Sequence, residues 1–195
     1  YADGSVRLFD WYVVTDLDDT YTDADLKLQV DIKKVHGRGF DRLPIEVQLW
    51  DDRKELVTEL NSDPFKIESI GKKRLDLSRL IKNPKKWTSE TPYLYTLKMS
   101  LLTMDGAEHD AIETRMGFKE TEIRGEAFYL NGVLLKVNAQ NSHMQHPEMG
   151  HAMTEDIIRK DFEILKQFNF NAVRTSHYPP VNNIWNWRMS MGSSL

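Results

Sequence analysis

Hydrophobic and polar positions alternate at period two along much of the first 117 residues. Leu26-Lys-Leu-Gln-Val-Asp-Ile32, Ile45-Glu-Val-Gln-Leu-Trp50 and Tyr93-Leu-Tyr-Thr-Leu-Lys-Met-Ser-Leu101 each place apolar residues on one side and polar residues on the other. That is the signature of a strand with one buried face. Val6 to Val14 is rich in aromatic and β-branched residues, and Glu55 to Leu60 follows a turn at Asp51-Asp52. Leu75 to Leu77 is a shorter candidate. Asp105-Gly106 is a strong hairpin signal, with Ala111 to Ile123 as the returning strand. About seven short strands with turns between them predict an antiparallel β-sandwich of roughly 100 residues, with another all-β barrel as the alternative.

The pattern changes after Gly117. Phe128 to Leu135 reads as a tight hairpin, with Asn131-Gly132 as its type I′ turn. Lys136 to Gln140 continues as a strand, and a polar loop with three histidines runs from Asn141 to His151. Ile158, Phe162 and Leu165 then recur at i, i+4 and i+7, with Ile157 and Ile164 beside them. A helix over Thr154 to Phe168 follows, with Thr154 as N-cap, Glu155 and Asp156 at the positive end of its dipole, and Asn169 as C-cap. Phe170 to Arg174 is the next strand. Strand, helix and strand form one βαβ unit, the building block of a parallel sheet. Its last strand delivers Arg174, Ser176, His177 and Tyr178, as barrel strands deliver site residues at their C-terminal ends.

A closed eightfold barrel needs about 250 residues, and only 118–195 remain here, so a partial (β/α) barrel is expected. The domains are expected to be 1–117 for the sandwich and 118–195 for the incomplete barrel. A lone βαβ unit leaves an edge and a face uncovered. Residues beyond about 125 are therefore expected to need packing on the sandwich or on another copy. Val181 to Leu195, with Trp185 and Trp187, has no clear period.

Composition narrows the function classes. The chain has 195 residues, 40% hydrophobic and 29% charged, which fits a globular protein with a core. Its net charge of −4 gives no reason to expect nucleic acid as a partner. With no cysteine, disulfides and thiolate metal sites are excluded. No apolar run approaches the roughly 18 residues of a membrane span, so no membrane partner is expected. The start, Tyr1-Ala-Asp-Gly-Ser5, lacks an initiator Met and a signal-peptide pattern, and a piece of a longer chain is expected. A homo-oligomer is left open.

The run Asn171, Ala172, Val173, Arg174, Ser176, His177, Tyr178 and Pro179 resembles a segment of the family 2 glycoside hydrolases, the β-galactosidase and β-glucuronidase group. Asn83-Pro84, Trp87, Pro92 and Leu94-Tyr95 resemble a motif of that family's immunoglobulin-like sandwich. Gly117-Phe118 and Leu130-Asn-Gly132 resemble its entry into the TIM barrel. The resemblance implies hydrolysis of β-linked glycosides with retention, by an acid/base glutamate and a nucleophilic glutamate about 5 Å apart. Both belong to later barrel strands in the family, so no catalytic residue is expected within this chain, and the chain alone is expected to be inactive.

The same resemblance implies that Arg174 supports the nucleophilic carboxylate, which a bidentate guanidinium can keep ionised. It makes His177, His143 and Asn141 substrate contacts, since imidazoles and amides bond sugar hydroxyls. An ordinary ion pair for Arg174 and packed loop roles for the histidines are the competing readings. Around His143 the family pattern Gly-Val-Asn-Arg-His-Glu is only partly kept: Ala139, Gln140, Ser142 and Met144 depart from it. This leaves the preferred sugar in doubt. His143, His146 and His151 fit no usual zinc spacing, and no metal is expected here. The resemblance implies that Mg²⁺, which some family members hold near the active site, would be bound through ligands of a later segment that is missing here. Trp11, Trp50 and Trp87 are expected in the sandwich core or at its margin. The alternative function is a non-catalytic carbohydrate-binding or structural sandwich.

Overall fold

A computed structural model describes residues 6–36, 42–67 and 70–177. The chain divides into two compact units. The first comprises Tyr1–Pro84 and Tyr95–Phe118, and the second Lys85–Leu94 and Lys119–Leu195.

Unit 1 is the antiparallel sandwich. One sheet has the order β1 (Val6–Leu17), β2 (Ala24–Lys34), β5 (Gly71–Ile81). The other runs β4 (Leu56–Asn61), β3 (Ile45–Trp50), β6 (Tyr95–Leu102), β7 (Glu108–Met116). The period-two alternation turns directly into burial. Leu26, Leu28, Val30 and Ile32 of β2 are buried, as are Ile45, Val47 and Leu49 of β3 and Leu97, Met99 and Leu101 of β6. Each such side chain contributes about 1.5–3 kcal/mol of transfer free energy. The polar residues between them face outward. The β6–β7 turn is the expected hairpin, with Gly106 at φ 83° and its N–H bonded to the Thr103 carbonyl.

Unit 2 opens with a small antiparallel sheet of β8 (Thr121–Arg124), β9 (Ala127–Leu130) and β10 (Val133–Leu134). Asn131 and Gly132 both take positive φ between β9 and β10, as a type I′ turn requires. β11 (Ala139–Ser142) and β12 (Ala172–Thr175) then pair in parallel, joined through α1 (Glu155–Gln167). Thr154 caps the helix, its hydroxyl accepting from the Ile157 N–H. The cap at the other end is Phe168, not Asn169. Asn169 follows it in the left-handed region at φ 58°, a conformation asparagine tolerates better than most residues.

Two expectations are corrected. Trp87 is 1% exposed, but it packs with Leu94 and Leu130 in unit 2, so it is no part of the sandwich core. The Lys119 ammonium stands 4.5 Å from the centre of its ring, and its carbonyl accepts from the Asn131 amide. Ser176 is 4% exposed, so the strand end buries this hydroxyl where a released polar side chain was expected. Trp11 is exposed and Trp50 half-buried. Trp185, Trp187, Tyr178 and Pro179 lie outside the described residues. Among the described residues, no helix is long and apolar enough to cross a membrane.

Candidate functional site

The register of β11 and β12 builds the site. Ala139 pairs with Ala172, Gln140 with Val173, Asn141 with Arg174, and Ser142 with Thr175. Paired residues point to the same face, and successive residues to opposite faces. Val173 turns toward the helix, where it is buried with Ile158, Phe162, Leu165 and Met144. Asn141 and Arg174 therefore share the other face. The Arg174 Nη1 donates to Asn141 Oδ1 at 3.4 Å, a long bond that leaves most of the guanidinium's donors available.

Just past the strand ends, the rings of His143 and His177 meet edge to face, with centroids 5.3 Å apart and planes at 61°. All four residues named from sequence thus gather at the C-terminal end of one parallel strand pair. Among the described residues this is the one place where strand ends of a parallel sheet converge, and such ends are where open and closed α/β folds bind ligands.

Two asparagines hold the opposite end of the pair. Asn171 Oδ1 accepts from the Asn138 N–H at 2.8 Å, and its Nδ2 donates to the Lys136 carbonyl at 3.0 Å. The Asn138 amide donates to the Asn169 carbonyl at 3.0 Å. These bonds fix the register three residues before Asn141 and Arg174. Asn138 was legible only as a strand residue, and nothing local in the sequence marks it as a clamp.

The histidine loop is built on its own backbone. His146 Nδ1 accepts from the N–H groups of Glu148 and Met149, and His151 Nδ1 bonds the Met144 carbonyl at 2.9 Å. Met144 itself is buried under the helix. Among the described residues no three His, Cys, Asp or Glu side chains cluster as a metal site.

A cavity of about 420 Å³ opens beside β11 and α1, walled by Gln140, Ser142, Asp161, Phe168 and Phe170. Asn141 and His143 also reach its lining, whereas Arg174 and His177 are not among the lining residues. Desolvation raises the Asp161 carboxyl above its ordinary value, and the nearby His146 pulls it back down.

Comparison with known proteins bears on the family and the fold. Residues 6–119 match the model of glycosyl hydrolases family 2, and residues 121–193 match that family's TIM barrel domain. A β-galactosidase of Vibrio cholerae is 35% identical over 184 residues, covering 92% of this chain and 18% of its own length. A family 2 glycosyl hydrolase structure from Bacteroides cellulosilyticus superposes with a TM-score of 0.88 at 21% identity, over 96% of this chain and 24% of its own. The β-glucuronidase structure of Parabacteroides merdae gives a TM-score of 0.83 at 25% identity, over 96% of this chain and 23% of its own. The chain spans less than a fifth of the length of the curated relatives it matches. With its sandwich and its first barrel strands matched in sequence order, the chain belongs to glycosyl hydrolase family 2.

Proposed function

We propose that this chain is the sandwich and first barrel segment of a retaining β-glycoside hydrolase, of the β-galactosidase kind. In this reading Asn141, His143, Arg174 and His177 form one wall of the sugar site. The observation that supports it is the meeting of an amide, two imidazoles and a guanidinium at the C-terminal ends of β11 and β12. Amide and imidazole donors and acceptors suit sugar hydroxyls. A guanidinium suits a carboxylate that must stay ionised, because its charge and paired N–H groups favour the anion.

Retention requires a carboxylic acid to protonate the leaving oxygen and a carboxylate about 5 Å away to attack the anomeric carbon. None of the four residues of this wall is a carboxylic acid. The reading therefore assigns both carboxyls to a longer polypeptide, and it assigns this chain positioning without turnover. Relatives named β-galactosidase, at 33–36% identity, support a galactoside as the substrate.

The test uses chromogenic β-galactoside and β-glucuronide with the 195-residue chain and with a polypeptide extended through a full barrel. Turnover of the galactoside by the extended chain alone is the expected result. Turnover by the short chain would overturn the assignment of the carboxyls. A catalytically dead extended chain whose sandwich binds glycan would favour the non-catalytic module.

A further inference from the structure

We infer that Asn131-Gly132 is a site of spontaneous deamidation, held closed by the docking of Trp87 and opened when Lys85–Leu94 leaves the rest of unit 2. It is the one asparagine–glycine pair in the chain. The chemistry needs no enzyme. Glycine has no Cβ, so its amide nitrogen is open to the side chain before it. The Gly132 nitrogen attacks the side-chain carbonyl carbon of Asn131 and closes a cyclic imide. The bond from that carbon to Nδ2 breaks, and ammonia leaves with the proton that the Gly132 nitrogen gives up. Water then opens the imide at one carbonyl or the other, to aspartate or to isoaspartate. Nothing is oxidised or reduced, and water is the single co-reactant.

The fold opposes the first step. Asn131 is half-buried and engaged through both atoms of its amide. Its Oδ1 accepts from the Glu120 N–H at 2.9 Å, and its Nδ2 donates to the Trp87 carbonyl at 3.0 Å. Its own N–H donates to the Glu120 carbonyl at 2.9 Å. A side chain pinned in this way cannot carry its carbonyl carbon onto the Gly132 nitrogen until those bonds part.

The restraint extends to Lys85–Leu94. Trp87 packs with Leu94 and Leu130, and Leu135 lies against them. Leu130 ends β9, and Leu135 directly follows β10, so the cluster touches both arms of the hairpin that Asn131 and Gly132 turn. The indole is thus held by the same hairpin whose asparagine its carbonyl restrains. Undocking Trp87 removes the acceptor of Nδ2 and the packing on both arms in one step.

The products resist redocking. In aspartate an oxygen stands where the Nδ2 donor stood, and an ionised carboxylate can only accept. It then faces the Trp87 carbonyl, acceptor against acceptor. Isoaspartate lengthens the main chain by a methylene inside a two-residue type I′ turn, and the length of such a loop sets the register of its strands. Both products therefore favour the undocked Lys85–Leu94.

The test follows three samples at neutral pH over time: the native 195-residue chain, the same chain unfolded in urea, and the variant Trp87→Phe. Peptide mapping by mass spectrometry reads amide loss at Asn131, and isoaspartate methyltransferase labelling reads the isomer. In urea, Asn131 is expected to lose its amide before any other asparagine of the chain. In the native chain the loss is expected to be about tenfold slower or more, the factor that about 1.4 kcal/mol of opening free energy gives. Trp87→Phe is expected to fall between the two. Leu94→Ala, which loosens the same cluster, takes its place should that variant not fold. Native chain that has deamidated is expected to show faster amide exchange over 85–94 than chain that has not. The inference is overturned by equal rates in the native and unfolded chains, by slow loss in urea, by a folded cluster variant that ages like the native chain, or by unchanged exchange over 85–94 after deamidation.

Discussion

Asn171 illustrates how much one side chain can set. Its amide satisfies both an N–H and a carbonyl of the segment that becomes β11, and so aligns Asn141 with Arg174. Replacing it by Ala removes two hydrogen bonds at a half-buried position. Asn171→Ala is expected to cost about 1–2 kcal/mol, measured by denaturant unfolding, with faster amide exchange in β11. Asp161 behaves differently. Its folded carboxyl is raised by desolvation, so the charged form is the less favoured one in the fold. The sign follows: its contribution is unfavourable above the folded pKa and vanishes as pH falls below the ordinary carboxylate range. Asp161→Asn is thus expected to raise the melting temperature only slightly at pH 7, since the residue is largely exposed to solvent, and to leave it unchanged near pH 3. An unchanged or lowered melting temperature at pH 7 would show that Asp161 is held by favourable contacts instead.

At the scale of elements, the Asn131-Gly132 hairpin shows a turn whose chemistry is written in two residues. Asn131 takes φ 49°, accepts from the Glu120 N–H at 2.9 Å, and donates to the Trp87 carbonyl at 3.0 Å. Asn131→Ala loses both bonds and tolerates the left-handed backbone poorly. About 2–3 kcal/mol of destabilisation is expected by calorimetry, and less for Asn131→Asp, which keeps the turn and the bond from the Glu120 N–H but cannot donate to the Trp87 carbonyl. Such turns, the central strands β2, β3 and β6, and the amphipathic α1 were legible because local chemistry and burial agree in them. The sequence pattern shows three residues of β5, Leu75 to Leu77, and the strand has eleven. Two of its inward positions carry long cations: Lys73 reaches the Phe65 ring, and Arg79 donates to the Glu59 carbonyl. Such side chains lay their stems on apolar surface and hide the alternation. The expected strand Lys136 to Gln140 starts earlier than β11 does, because Ala139, Gln140 and Asn141 are exposed and β12 and the asparagine clamp set its limits. Lys85–Leu94 reads as sandwich in sequence, yet Trp87 and Leu94 pack with Leu130.

For the molecule as a whole, each unit has its own apolar centre, and the site belongs to the smaller one. Leu97 is fully buried between the sandwich sheets, and Leu97→Ala is expected to cost about 2–5 kcal/mol in the unfolding of unit 1. The candidate site was legible for a different reason from the fold. Arg174, His177, His143 and Asn141 came from motif resemblance, and the parallel register then brought them to one place. The proposed function requires that the ends of β11 and β12 hold the sugar of a β-glycosidase. Its test is steady-state hydrolysis of a chromogenic β-galactoside by the barrel-extended polypeptide, with and without His177→Ala. A loss of about 100-fold or more in kcat/KM is expected, since a hydroxyl contact strengthened in the transition state is worth several kcal/mol. Identical kinetics for the two polypeptides would contradict it.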